Sequence, residues 1–180
     1  MVDYDPFPII ESRSLMLRRI TQEDAEDIFK MRNDPQMHEF TDTKPDTDIE
    51  ESRAYIDKMN KGIDEDKWIV WAIEHKPSGK VIGTISVWNI DIEQKSAELG
   101  YGIIPAYQGK GFMKEALGSI IDYGFNVMKL AALEAYTELS NLKSIRLLTA
   151  CGFREVEKVD EKGYNNDKVF HMAVFRLENT

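Results

Sequence analysis

The sequence predicts one α/β domain built on a mixed sheet, and three observations predict it. The chain has 180 residues, 42% hydrophobic and 31% charged, enough apolar side chain for one core, with no linker, repeat or low-complexity tract dividing it. The hydrophobic period switches repeatedly between two and about 3.6 residues, giving the order β-α-α-β-β-β-α-β-α-β-β. The early strands are joined by short turns and the later ones flank a long helix, so the sheet is antiparallel first and parallel at one strand–helix–strand crossover. Residues 1–11 read as an N-terminal extension and 12–180 as the domain.

Arg13 to Ile20 alternates as a first strand. Thr21, with Asp24 three residues on, is an N-cap signal, and Ala25, Ile28, Phe29 and Arg32 follow at helical spacing until Asn33-Asp34-Pro35. Asp46 or Thr47 would cap a second helix through about Asn60, ended by Gly62. Trp68 to Ile73 and Val81 to Ile92 form a hairpin around Lys76-Pro77-Ser78-Gly79, and Ala97 to Ile104 is the next strand. A loop, Pro105 to Lys110, opens a helix from about Gly111 to Met128 with one apolar stripe. Its glycines Gly118 and Gly124 suggest close packing on a sheet. Leu130 to Thr137 is a strand and Asn141 to Ala150 a helix stopped by Gly152. Phe153 to Val159 and Val169 to Leu177 pair around the turn Lys162 to Asn166.

Composition excludes several classes. With 23 basic and 32 acidic residues the net charge is −9, unsuited to binding nucleic acid. No run reaches the roughly 18 apolar residues of a membrane span. Met1 to Glu11 has the wrong charge for a secretory signal, and a single cysteine, Cys151, fits a reducing, cytoplasmic setting. The segment Thr21 to Asp66 holds 15 acids against 6 bases, and the remainder is balanced at 17 of each. That segment is either a solvated helix pair or a negative potential that attracts a cationic substrate.

The informative stretch is Glu98 to Met113, where a strand runs through a glycine-containing loop into a helix. Free backbone N–H groups at such a helix start suit an anion such as a pyrophosphate, with Lys110 and Lys114 adding charge. A P-loop needs glycine at 104 and Ser or Thr at 111, but those residues are Ile104 and Gly111. A dinucleotide fingerprint fails as well, at Lys114 if it starts at Gly109 and at Pro105 if it starts at Gly100.

Gln108-x-x-Gly111-x-Met113, between strand and helix, resembles the acetyl-CoA signature of the GNAT N-acetyltransferases. Asn141-x-x-Ser144, with Gly152-Phe153 after the helix, resembles their second cofactor-contact helix. Together with Glu98-Leu99-Gly100-Tyr101 these residues point to the branch of ribosomal-protein serine/alanine N-acetyltransferases, over about residues 12 to 177. Two positions depart from the family pattern. Met113 stands where Gly or Ala is usual, and Leu148 where many relatives carry a tyrosine acid.

The resemblance implies a GNAT-like, centrally splayed sheet with helices on both faces, and direct acetyl transfer from acetyl-CoA to a primary amine. It implies that the N–H groups of Gly109, Lys110, Gly111, Phe112 and Met113 cradle the pyrophosphate, with Gln108 in the same motif. Pantetheine would enter between the strands Ala97–Ile104 and Leu130–Thr137 and pair with the backbone at Ile103 and Ile104. An N–H near Ile103 would polarise the thioester carbonyl, Asn141 would hold the pantetheine amide, and Ser144 would donate to the sulfur. No metal is implied.

A protonated amine must lose a proton before it attacks, so a base or a water chain is required. Glu98 is the first candidate. Strict alternation places it opposite Leu99 and Tyr101 unless a bulge at Gly100 or Gly102 intervenes. Glu138 is a weaker candidate, more in keeping with loop surface, and Cys151 reads as structural. His38, His75 and His171 have no ligand spacing, and Trp68, Trp71 and Trp88 read as packing. The acidic segment falls where the family builds its acceptor wall, so the expected acceptor is cationic, such as a ribosomal-protein N-terminus or a polyamine. A non-catalytic acyl-CoA sensor on the same fold is the alternative. The oligomeric state stays open, including a homodimer paired through the tail strand.

Overall fold

The computed structural model of the chain describes residues 4–165 and 167–180. Among these described residues, eight strands form one sheet in the order β1-β2-β3-β4-β5-β6-β8-β7. The strands are β1 (Ile10–Glu11), β2 (Leu15–Arg19), β3 (Ile69–His75), β4 (Lys80–Asp91), β5 (Ser96–Ile103), β6 (Ala132–Glu138), β7 (Arg154–Lys162) and β8 (Val169–Glu178). The helices are α1 (Ala25–Asn33), α2 (Ile49–Asp64), α3 (Phe112–Asp122) and α4 (Leu142–Ala150). Every neighbouring pair is antiparallel except β5 and β6, which flank the α3 crossover. The mixed sheet and the element order follow the sequence, with β1 as an added strand against Leu17 and Met16. Tyr4 is buried, and the Phe7 ring meets Trp71 edge-on at 6.1 Å. Met1 to Asp3 of the extension, and Asn166 of the last turn, lie outside the described residues.

A core of Leu99, Ile103, Met113, Leu117, Ile120, Leu133, Leu148 and Phe153 lies between the sheet and α3 and α4. A smaller core of Ile20, Ile28, Met31, Ile56 and Ala72 seats α1 and α2 on the opposite face. Thr21 and Asp24 form the expected capping box ahead of α1.

Four local expectations change. Asp48, not Asp46 or Thr47, caps α2, its side chain accepting from Glu51 N–H. Asp46 is buried instead, paired with Arg32 at 2.8 Å and accepting from Ser52. Gly62 does not end α2, which runs on to Asp64. Trp68 packs on it so closely that a Cβ at 62 would sit 2.0 Å from the indole. Gly118 faces open space with nothing within 4 Å of a Cβ, whereas Gly124 packs on Leu133 as expected. The long helix gives way after Asp122 to a wider turn over Tyr123–Val127.

The far edge of the sheet is β7, whose residues are almost all exposed. Its ladder to β8 shifts register between Glu155 and Glu157, bulging the exposed Val156 out of the pairing.

Candidate functional site

The parallel ladder between β5 and β6 is short. It pairs Ser96, Ala97 and Glu98 with Ala132, Leu133 and Glu134, and stops. Beyond Glu98 the two strands diverge, and β5 continues along β4 alone to Ile103. Ile104 N–H donates to Ile82 on β4, and by alternation the N–H groups of Tyr101 and Ile103 face the other way, into the gap. Ile104 itself is engaged within the chain at both backbone groups, because its carbonyl accepts from Tyr107 N–H. Of Ile103 and Ile104, it is therefore Ile103 that turns its N–H into the gap.

The loop at the open end of the gap is shaped by two left-handed residues, Gly109 (φ 75°) and Gly111 (φ 84°). Gly111 is the N-cap of α3, and the first helical bond is Glu115 N–H to the Gly111 carbonyl. The N–H groups of Phe112, Met113 and Lys114 thus start the helix without an intrahelical acceptor. An added Cβ at Gly109 or Gly111 would meet nothing within 4 Å, so the loop is open above its backbone. Gln108 ties this loop down: its amide donates to the Ile103 carbonyl at 2.9 Å and accepts from Lys143 Nζ at 3.3 Å. The donor set, the glycine-formed opening and the nearby ammonium groups of Lys110, Lys114 and Lys143 fit the pyrophosphate of a coenzyme A thioester.

Asn141 is the N-cap of α4, its side-chain oxygen accepting from Ser144 N–H at 3.2 Å. That leaves its amide N–H groups for another acceptor. The Ser144 hydroxyl lies 2.7 Å from the Tyr101 hydroxyl, so a strand on one side of the gap is bonded to the helix that follows the other. Leu148 is fully buried under that helix.

The opposite face of the sheet differs chemically. There is no register shift at Gly100 or Gly102, so alternation holds and Glu98 faces away from Leu99 and Tyr101. It accepts from Asn89 Nδ2 at 2.8 Å and gains no cationic partner among the described residues. Burial pushes its carboxyl pKa up, the Asn89 bond opposes this, and the charges of Glu134 and Glu161 add to the rise. The Tyr136 hydroxyl is also raised, by burial and then by Glu98, Glu134, Glu157 and Glu161. These four carboxylates share one field, partly offset by Arg176, which pairs with Glu134 at 2.6 Å. Trp88 lies across the β4–β5 hairpin on this face, 44% exposed, with its indole nitrogen 3.7 Å from where a Cβ at Gly100 would sit. Met37 lies 3.1 Å from a Cβ at Gly102 and covers the floor. The Asp42 carboxylate accepts the Tyr164 N–H at 2.6 Å, joining the α1–α2 connection to the β7–β8 loop.

The predicted cofactor residues Ile103, Gln108 to Met113 and Asn141 thus come together around one gap. Glu98 lies at its vertex on one face and Ser144 on the other. The acidic segment mostly satisfies its own structure. Asp24 pairs with Arg18, Asp46 with Arg32 and Asp64 with Arg19, while Asp27 accepts from Val81 N–H. Glu138 accepts from the Ser140 hydroxyl and then from its N–H in the turn before α4, and both lower its pKa and make it a poor base. Cys151 is half-buried at the end of α4, and burial raises its thiol pKa. Sequence reasoning missed the Tyr101–Ser144 and Gln108–Lys143 contacts and the grouping of Glu98 with Glu134, Glu157 and Glu161, because none has a linear signature. No helix among the described residues is long and apolar enough to cross a membrane.

The profile of the acetyltransferase (GNAT) domain matches residues 14–154. The uncharacterized N-acetyltransferase YoaA of Bacillus subtilis is 30% identical over 171 residues, covering 95% of this chain and 97% of its own. The ribosomal-protein-S5-alanine acetyltransferase of Vibrio fischeri superposes with a TM-score of 0.82 at 24% identity, over 96% of this chain and 97% of that one. The spermidine N-acetyltransferase of Vibrio cholerae, solved with CoA and spermine, gives a TM-score of 0.78 at 23% identity, over 92% and 95%. With the gap, the glycine loop and the matched profile in one place, the chain belongs to the GNAT N-acetyltransferases, a fold that uses acetyl-CoA.

Proposed function

We propose that the protein transfers the acetyl group of acetyl-CoA directly to a primary amine on a cationic acceptor, either a protein N-terminus such as that of a ribosomal protein or a polyamine. The observation that carries this reading is the gap between β5 and β6, with N–H donors at its open end and an unneutralised carboxylate, Glu98, at its vertex. The N–H groups of Gly109 to Met113 hold the pyrophosphate, and the Asn141 amide holds the pantetheine. Ile103 N–H polarises the thioester carbonyl and stabilises its developing negative charge. Glu98, alone or through water, takes the proton from the ammonium group; its raised pKa moves it toward the range a general base needs. Ser144 donates a hydrogen bond to the departing sulfur.

The two faces then have separate tasks: the amine arrives on the Glu98 face, and sulfur leaves toward the Ser144 face. The grouping of Glu98, Glu134, Glu157 and Glu161 supports a cationic acceptor. So does the likeness in fold to a spermidine and a ribosomal-protein N-acetyltransferase.

The test is calorimetric titration with acetyl-CoA beside a Gly111→Trp control whose folding is verified by circular dichroism, followed by an amine panel. Binding on the order of micromolar, lost in the control, is expected. Spermine and basic peptides should turn over faster than neutral amino acids, with an advantage that falls as salt rises. No binding by folded protein would overturn the reading. Equal turnover of neutral and polycationic amines would remove the cationic acceptor.

A further inference from the structure

The Tyr101–Ser144 contact has an uneven chemistry. A phenol is the more acidic of the two hydroxyls and the better donor. If Tyr101 donates to Ser144 Oγ, the serine proton must point elsewhere, and the gap beside β5 lies open there. If the polarity were reversed, the serine proton would be spent on Tyr101 and none would face the gap. Burial pushes the Tyr101 hydroxyl pKa up to about 12, so it stays protonated and remains a donor at neutral pH. The ring packs against the larger core and its helix partner is anchored by Asn141, so both ends of the bond are fixed.

We propose that Tyr101 is a positioning residue for acetyl transfer, whose hydroxyl donates to Ser144 and thereby aims the Ser144 proton at the sulfur that leaves. This rests on the placement of Ser144 at the sulfur given above. As the N–C bond forms and the C–S bond breaks, the C–S electron pair goes to sulfur. The acceptor ammonium gives up two protons, one ending on the CoA thiol and one in solvent. Ser144 and Tyr101 donate hydrogen bonds only and end the cycle as they began. Two hydroxyls in series polarise each other, so Ser144 donates more strongly than it would alone.

The experiment follows thiol release from saturating acetyl-CoA with hydroxylamine as acceptor, a small nucleophile that needs no polycation site. Wild type, Tyr101→Phe, Ser144→Ala and the double variant are compared, with CoA affinity measured by calorimetry. Tyr101→Phe should lower kcat by about tenfold and Ser144→Ala by somewhat more, each with CoA affinity and KM for acetyl-CoA unchanged. The double variant should be no slower than Ser144→Ala, since one chain has been cut twice. A brace that only held the gap would move CoA affinity and thermal stability together and leave kcat alone, which would overturn the proposal. Full kcat in Tyr101→Phe beside a slow Ser144→Ala would also overturn it, while leaving Ser144 at the sulfur. Full kcat in Ser144→Ala would overturn both.

Discussion

Between Thr21 and Asp66 the carboxylates face arginines, hydroxyls and backbone N–H groups. On the sheet face between β5 and β7, Glu98 faces the charges of Glu134 and Glu161, and Arg176 offsets only part of that field. Asp46 sits between Arg32 and Ser52, with 6% of its side chain exposed, and Asp24 against Arg18 with 8%. Glu98, half-buried, has only a neutral asparagine. The first region carries the whole net charge of the sequence and spends much of it on its own fold. The second lies in the remainder of the sequence, where acids and bases balance at 17 each, yet it leaves a carboxylate whose charge is poorly compensated. The difference shows that a surplus of charge is informative only once its partners are known. Neutralised carboxylates stabilise a fold, and crowded ones store an affinity for cations.

The sharpest way to break the comparison is Asp46→Ala. It leaves the Arg32 guanidinium beside a buried hole and should lower the unfolding free energy by about 3 kcal/mol in urea titrations. KM for the amine should stay unchanged in the folded fraction. Glu98→Gln should do the reverse. We expect kcat/KM for spermine to fall roughly 100-fold, equivalent to about 2.7 kcal/mol. Stability should not fall with it, because the folded Glu98 pKa is raised. Its contribution is therefore fully present below the ordinary value of 4.5 and lost as pH rises through the folded pKa. The variant should overtake wild type in urea at pH 7, and the two should converge near pH 4.

Asp24→Asn should show the opposite pH sign. Although burial opposes ionisation, the bonds from Arg18 and Thr21 outweigh it and hold the Asp24 pKa below its ordinary 3.8. Its contribution is present above that pH and lost as pH falls through the folded pKa. The stability gap between wild type and variant should therefore narrow in strong acid. The smallest effect is expected for Glu161→Gln, a rise of roughly two- to threefold in KM for spermine that disappears at 1 M salt. A larger loss from Glu161→Gln than from Glu98→Gln would invert the ranking of the two carboxylates.

Much of the fold was legible because each element announces itself locally. Pro35 and the Thr21–Asp24 box bracket the first helix, Gly79 marks the hairpin, and Gly111 marks the loop before α3. Gly62 misled for a tertiary reason, since no local pattern says that Trp68 will return to press on it. The cofactor side of the site was readable because Gln108 to Met113 is one continuous run whose function lies in its backbone. The acceptor side was not. Glu98 meets Glu134 across a crossover, and Glu157 and Glu161 arrive only after β8 has inserted between β6 and β7. Tyr101 likewise reaches Ser144 across 43 positions.

The outermost strand has a consequence for the company the protein keeps. β7 reads Arg154-Glu155-Val156-Glu157-Lys158-Val159-Asp160-Glu161-Lys162, with charge along most of its length and a bulge at Val156. A second sheet laid alongside would have to match that irregular register and desolvate lysines and glutamates together, which edges of this kind are built to resist. The same strand brings Glu157 and Glu161 to the acidic face. The side chains that discourage unwanted sheet extension are thus also the ones placed to recruit a polycation, and selection on either property constrains the other.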